Sequence, residues 1–292
     1  MIKKVTIAGI CIVFFLTVVL NLIKRRNSIS PIVDENSIRI VSLSPYVTEN
    51  LYLLGFGKNI VGLTIHEMIE KREGKEIIGT LIEPNIEKIV TLKPDIVIAS
   101  KEGNRQDSLR SIQQLGIKTL VLDELHSFDD ICKNFTVLGK TLGEEKKAVS
   151  LLTREKKVLE KIKETAGREE SKKVFFILGF KPLITTGRNT YINEMIFLAG
   201  GTNIFQDVEK KWFACSLEEV VKRNPDVIIS TSMEKDVDFF GKRIPEIEAV
   251  QKGNIFEIDD TVIGSPTPES FISAVKILYG LLHSKEKNVA EN

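Results

Sequence analysis

The chain has 292 residues, 42% of them hydrophobic and 28% charged, enough for two domains of ordinary size. Its net charge of +1 hides an asymmetry: Lys3, Lys4, Lys24, Arg25 and Arg26 fall in the first 30 residues with no acid, leaving 36 basic and 40 acidic side chains beyond them. A body with that acidic excess lacks the basic surface a nucleic-acid partner requires, and Cys132 and Cys215, one in each half, make neither a disulfide framework nor a zinc motif.

Residues 5–23 are apolar apart from Thr6, Thr17 and Asn21, and as a helix these 19 residues span about 28 Å, close to the ~30 Å of a bilayer core. A signal peptide has a shorter apolar region and a small-x-small cleavage site. Only Ser28-x-Ser30 fits such a site and Pro31 follows it, so an uncleaved anchor is preferred to a cleaved signal in residues 1–30. Cys11 follows Ile10, where a lipidation site wants a small residue, and basic residues at both ends leave the orientation open. Residues 31–37, within a polar stretch that starts at 27, read as a linker.

A strand is expected at 38–43, a turn at Ser44-Pro45, a helix at 48–54 closed by Gly55 and Gly57, and a second strand at 60–63. Residues 84–100 and 215–231 then align without a gap, with five of 17 positions identical: Glu87/Glu218, Val90/Val221, Pro94/Pro225, Asp95/Asp226 and Ile98/Ile229. Repetition at this offset of 131 residues predicts two similar halves. In each copy an N-cap (Asn85, Ser216) opens a short helix with one apolar stripe, Ile86, Ile89, Val90 or Leu217, Val220, Val221. Ser216-x-x-Glu219 fits a capping box. The helix must end before Pro94 or Pro225, since the residue preceding proline avoids the α region. The aliphatic runs at 96–99 and 227–229 are of the kind buried on both faces in parallel sheets.

Further helices are expected at 109–115 and 131–142, with a strand at 118–122 between them. Residues 143–168 form a charged helix with a narrow stripe of Ala148, Val149, Leu151, Leu152, Val158, Leu159 and Ile162. Its place midway between the repeats suits a bridge between lobes 38–142 and 169–292 better than a surface helix of one lobe. The second lobe restarts with a strand at 173–178, a loop to Tyr191, a helix ending at Gly200-Gly201, the repeat copy, a strand at 255–258 and a closing helix at 269–283.

Arg39-Ile-Val-Ser-Leu-Ser-Pro45, Thr48-Glu49, Leu54-Gly-Phe-Gly57 and Asn85-Ile-Glu-Lys-Ile-Val-Thr-Leu-Lys-Pro-Asp95 resemble the opening of the ABC-importer binding proteins for vitamin B12 and ferric siderophores. Trp212-x-x-x-Ser216-x-Glu218 with Asn224-Pro-Asp226 is similar to that family's second-lobe element, and the resemblance covers about residues 38–283. It implies an α/β fold of two Rossmann-like lobes joined by one long helix, a ligand cleft between them, and a monomer docking on an ABC permease dimer with its ATPase. It also implies that Glu87 and Glu218 meet arginines of that two-fold permease. Two equivalent acids facing two equivalent subunits suit carboxylate–arginine pairing, although the helix dipole alone also favours an acid in a first turn.

Ligands in open α/β lobes sit beyond the carboxyl ends of strands. The loops expected there offer Ser44, Pro45, Tyr46, His66, Arg105, Arg188, Tyr191 and Trp212 as binding candidates, beside Thr64, Lys101, Asn104, Lys181 and Asn189. Aromatic walls with a few polar groups suit a large chelate: cobalamin, a ferric siderophore, or haem, with Arg105 and Arg188 available to acidic groups. Three histidines, His66, His126 and His283, are a thin supply for a bare zinc or manganese site. No cofactor is expected. No GxSxG, Walker A or strand-linked GxGxxG is present, so an enzyme is not expected. A membrane-anchored chelate sensor remains the rival to a transporter subunit.

Overall fold

Aliphatic runs too short for helices and bounded by turns become strands, and they assemble into two sheets. The computed structural model describes residues 38–231 and 236–283. The first sheet contains β1 (Ile40–Ser42), β2 (Ile60–Leu63), β3 (Glu76–Ile77), β4 (Ile96–Ser100) and β5 (Thr119–Leu122), all parallel, in the order β3-β2-β1-β4-β5. Helices α1 (Pro45–Leu54), α2 (Ile86–Thr91), α3 (Gln106–Gln114) and α4 (Phe128–Leu142) accompany it. The 22-residue α5 (Glu145–Ala166) follows. The second sheet contains β6 (Lys172–Phe180), β7 (Leu183–Thr186), β8 (Gly201–Asn203), β9 (Trp212–Ala214), β10 (Val227–Ser230) and β11 (Ile255–Glu257), in the order β11-β10-β6-β7-β9 with β8 also on β6. Its longer helices are α6 (Tyr191–Leu198), α7 (Leu217–Arg223), α8 (Asp236–Arg243) and α9 (Pro268–His283), with single turns at Glu248–Gln251 and Asp260–Gly264. The apolar segment 5–23 lies outside the described residues, among which no helix is long and apolar enough to cross a membrane.

The two repeat copies match down to single hydrogen bonds. Asn85 and Ser216 each accept the backbone N–H three residues on, Lys88 and Glu219. Lys93 and Asn224, the residues before the prolines, take the left-handed conformation at φ 46° and 43°. The turn is therefore sharper than a simple exit from the helix. Asp95 Oδ2 then accepts the N–H of Arg39 at 2.7 Å, and Asp226 Oδ2 that of Lys173 at 2.6 Å. Even the long side chains correspond: Arg39 donates to the carbonyl of Leu92 and Lys173 to that of Arg223, each at the end of its repeat helix. These contacts set β4 beside β1 (Ile40 opposite Ile96) and β10 beside β6 (Phe175 opposite Ile228). In each copy only the first member of the Ile89-Val90 or Val220-Val221 pair is fully buried, and Val90 is 45% exposed.

Several expectations need correction. The second lobe is not a plain Rossmann-like sheet, because along its edge β7 runs antiparallel to β6 and β9 antiparallel to β7. The stretch expected as a loop before Tyr191 contains β7, whose four residues give too short a pattern to read. Helices α1, α3 and α4 each start three residues earlier than expected, since their first turns are polar or begin with proline and carry no apolar period. The capping box is half made: Ser216 caps α7, but Glu219 turns to Arg223 Nε at 3.2 Å.

Helix α5 packs against α4 on one side and α9 on the other. The largest buried cluster runs without a break from Ile40, Ile96 and Ile98 of the first sheet through Phe135, Leu152, Leu159 and Leu278 to Val174, Phe176 and Ile229 of the second. Phe128 of α4 stacks on Phe271 of α9 with ring centroids 4.7 Å apart. Two halves that share one core should unfold together. Phe271→Ala is expected to cost about 3–5 kcal/mol and to leave a single transition, with far-UV circular dichroism and the fluorescence of Trp212, the lone tryptophan, melting at one temperature. Separate midpoints for the two signals would contradict a shared core.

Candidate functional site

All five strands of the first sheet deliver the segment after their carboxyl end to one cavity of about 620 Å³. After β1 come Ser44, Pro45 and Tyr46; after β2, His66; after β3, Thr80, Leu81 and Ile82; after β4, Glu102; after β5, Leu125. The second lobe closes the opposite side with Tyr191, Trp212 and the segment Gly264, Ser265, Pro266. This is the crevice position expected of open α/β sheets. Leu81 and Trp212 stand at the same offset of 131 residues as the repeat, so equivalent points of the two halves face the cavity.

Polar side chains behind the wall hold the loops in place. Asn104 accepts from Ser100 N and donates to the carbonyls of Leu43 and Leu81, tying three wall segments together. Asn50 donates to Tyr46 O at 2.8 Å and to Pro266 O at 3.4 Å, the latter across to the second lobe. The Tyr191 hydroxyl donates to Ile263 O at 3.0 Å, and its ring meets Trp212 edge-on at 6.3 Å. The Tyr46 hydroxyl is buried beside Asn134 without a well-formed hydrogen bond. Burial pushes both phenols well above the usual tyrosine range.

At the mouth, Lys211 of the second lobe reaches Glu102 Oε2 at 3.3 Å and Glu124 Oε2 at 2.9 Å in the first. The hydrogen bond and charge of Lys211 hold Glu124 below the usual carboxylate range. His126 adds a second link, its Nδ1 lying 3.2 Å from the carbonyl of Asn189. Pairs this exposed are each worth about 0.2–1 kcal/mol, so they join the rims without sealing them. Deeper in, Glu194 Oε2 accepts the N–H of Phe128 at the start of α4, and burial raises its carboxyl.

Six of the eight expected ligand residues lie on the wall: Ser44, Pro45, Tyr46, His66, Tyr191 and Trp212. Arg105 and Arg188 do not. Arg105 is the exposed N-cap of α3. Arg188 donates to Gln206 O at 2.8 Å and stands 3.8 Å from Glu209, so its charge serves its own loop. Lys101 is likewise paired, with Asp123 at 2.6 Å. The wall residues that the sequence does not reveal, Thr80 to Ile82, Glu102, Leu125 and Gly264 to Pro266, follow short strands or irregular turns. Trp212 lies on an edge strand and is 37% exposed, not packed beneath α7.

Among the described residues no group of three His, Cys, Asp or Glu is placed to hold a metal ion. His283 bonds the carbonyl of Ala199 and His126 that of Asn189, leaving His66 as the wall's imidazole. Cys132 and Cys215 are free thiols, both pushed up to about 11 by burial. Glu87 and Glu218 are exposed in the first turns of α2 and α7, and neither forms an ion pair among the described residues. Its own backbone N–H and the Ser216 hydroxyl hold Glu218 below the usual range.

Behind His66 lies Glu67, 2% exposed. Its Oε1 lies 2.9 Å from Thr48 Oγ1, and Ser42 Oγ lies 2.8 Å from the same hydroxyl, whose single hydrogen serves one of the two at a time. Its Oε2 has no partner. Burial, against the opposing pull of the Thr48 hydrogen bond, pushes the carboxyl up to about 7; Glu49 adds to the rise and Lys71 reduces it. Between 4.5, the ordinary value, and about 7 the native chain holds a proton that the unfolded chain has released, so stability falls as pH climbs through that window. Glu67→Gln is expected to flatten the dependence of melting temperature on pH between about 5 and 8, and to gain about 2–4 kcal/mol at pH 8 at ~1.4 kcal/mol per unit. An unchanged pH profile would refute the assignment.

Two α/β lobes that share a core and wall a cavity with aromatic and aliphatic side chains make a receptor for a small molecule. The chain belongs to the periplasmic binding protein family, whose pattern residues 40–262 match. It is 33% identical over 239 residues to the uncharacterized ABC transporter substrate-binding lipoprotein YvrC of Bacillus subtilis, covering 79% of this chain and 75% of that one. The periplasmic vitamin B12 binding protein BtuF of Vibrio cholerae superposes with a TM-score of 0.75 at 27% identity, over 86% of this chain and 98% of that one. A possible iron-binding, periplasmic solute-binding protein of Staphylococcus epidermidis superposes with a TM-score of 0.73 at 29% identity, over 84% and 98%. The family is the one that the opening motif and the duplicated Asn-Pro-Asp and Lys-Pro-Asp turns resemble.

Proposed function

We propose that the protein captures a metal chelate, a corrinoid such as cobalamin or a ferric siderophore, on the outer face of a cell membrane and hands it to an ABC permease dimer and its ATPase. The observation that carries this reading is the cavity itself: all five strand ends of one lobe feed it, and Tyr46, Tyr191 and Trp212 line it with flat apolar surface. Its size falls in the usual ligand-pocket range of about 300–1,000 Å³. No chemistry on the ligand is required of these residues, and none of them is arranged as a nucleophile with a base. Residues 5–23 would tether a monomer to the membrane, with residues 31–37 as a short leash.

Glu87 and Glu218 are the proposed docking points. They sit at matching places on matching helices, exposed and uncommitted to any ion pair among the described residues, as acids awaiting arginines on a two-fold partner would. Haem would find the hydroxyl of Tyr191 already donated to Ile263 O, with Tyr46 as the other phenol on the wall. A bare zinc or manganese ion would find only His66 and Glu102 among the described residues of the wall, short of the three or four ligands it wants.

Full-length protein titrated with cyanocobalamin and ferric siderophores is expected to show saturable quenching of Trp212 fluorescence. Combined Glu87→Ala and Glu218→Ala should leave that affinity within threefold while lowering chelate uptake in cells at least tenfold. Uptake that survives the double change would remove the docking role, and a pull-down without permease or ATPase would favour a sensor.

A further inference from the structure

Around the cavity nearly every cation is already engaged, and the charge left over is negative. Among the described residues Glu102 is the only carboxylate on the wall, and no lysine or arginine lies on it. Lys211 stands between Glu102 at 3.3 Å and Glu124 at 2.9 Å, so one cation serves two acids. Arg188 is held by Gln206 O and Glu209, Lys101 by Asp123, and Arg105 is exposed on α3 away from the wall. The remaining surface is carbon, hydroxyl and the imidazole of His66.

Resting on the chelate-binding reading, we infer that this cleft selects uncharged or cationic chelates and rejects anionic ones. A ligand carboxylate or catecholate entering it would lose water without gaining a cationic partner, which is the costly way to bury a charge, and it would face Glu102 across an apolar space where Coulomb forces are weakly screened. An uncharged chelate rich in amides loses nothing of that kind. The N-terminus of α1, at Ser44 and Pro45 on the wall, offers a partial positive charge to carbonyl oxygens and carboxylates alike, a weaker partner than a lysine or arginine. A chelate bearing an ammonium meets the faces of Trp212 and Tyr191 as cation–π surfaces, and Glu102, which already accepts the N–H of Leu125 and shares Lys211 with Glu124, as a second acceptor. The rule therefore favours corrins with intact side-chain amides and cationic or neutral trihydroxamates over citrates, tris-catecholates and haem with its propionates.

The test holds the scaffold fixed and changes only the charge. One series is a linear ferric trihydroxamate with a terminal ammonium, its uncharged N-acetyl derivative and its N-succinyl derivative, which ends in a carboxylate. The other is cyanocobalamin and its analogue with one side-chain amide hydrolysed to a carboxylate. Each is titrated against full-length protein at pH 8, where imidazoles in general are neutral, with Trp212 fluorescence as the readout. In whichever series binds, the carboxylate member is expected to bind at least tenfold more weakly than the uncharged one. Glu102→Gln should narrow that gap at least threefold, read as the ratio of the two affinities within the variant. Equal affinity for carboxylate and uncharged members would overturn the charge rule and leave chelate binding standing. Binding of neither series would overturn both, and a gap unaltered by Glu102→Gln would remove Glu102 as its source.

Discussion

Each half of the molecule depends on one carboxylate closing one turn. Asp95 and Asp226 accept the N–H groups of Arg39 and Lys173, at the entrances to β1 and β6. The same aspartates donate their own N–H groups back to those residues' carbonyls. This two-way clamp fixes the central strand of each sheet against the strand that follows the repeat helix. Register then follows from the aliphatic pairs, and with register comes the line along which the strands end. The cavity exists because those ends are level: a slip of one residue would reverse which side chains face the core and misplace every wall segment at once.

The second constraint is that the halves are not independent bodies. Helices α4, α5 and α9 form one packed layer whose apolar contacts are continuous with both sheets. Movement of one lobe against the other must therefore bend this layer and not swing on a loose strap. At the opposite rim the contacts are of another kind, Lys211 with its two glutamates and His126 with Asn189, all near solvent and individually weak. The molecule is firm at the back and adaptable at the front, which suits a site that must admit and release a bulky guest.

Much of this was legible before any coordinates. The aliphatic runs after Pro94 and Pro225 could only be buried strands, and the caps at Asn85 and Ser216 set the helices before them. Six of the residues named from the strand-end rule line the cavity. What could not be read has definite causes. β3, β7, β8 and β9 are two to four residues long, too brief for a period to declare itself, and the wall segment 80–82 that follows β3 was lost with it. Arg105 and Arg188 looked like ligand partners because a sequence shows a charge without showing its neighbours; Glu209 and the carbonyl of Gln206 decide where Arg188 goes. Glu67 and Glu102 have the converse history. Nothing in the chain sets them apart from the other acids, and only burial in one case and position in the other make them matter.

Leu81 and Trp212, at matching positions of the two halves, touch the cavity, and six residues further along each half reaches its exposed acid, Glu87 or Glu218. Inner surface and outer corner thus belong to the same short span of backbone. A partner that gripped both corners would sit six residues of chain, at most about 20 Å, from the cavity wall on either side, close enough to register local stiffening there without any large rotation to announce it.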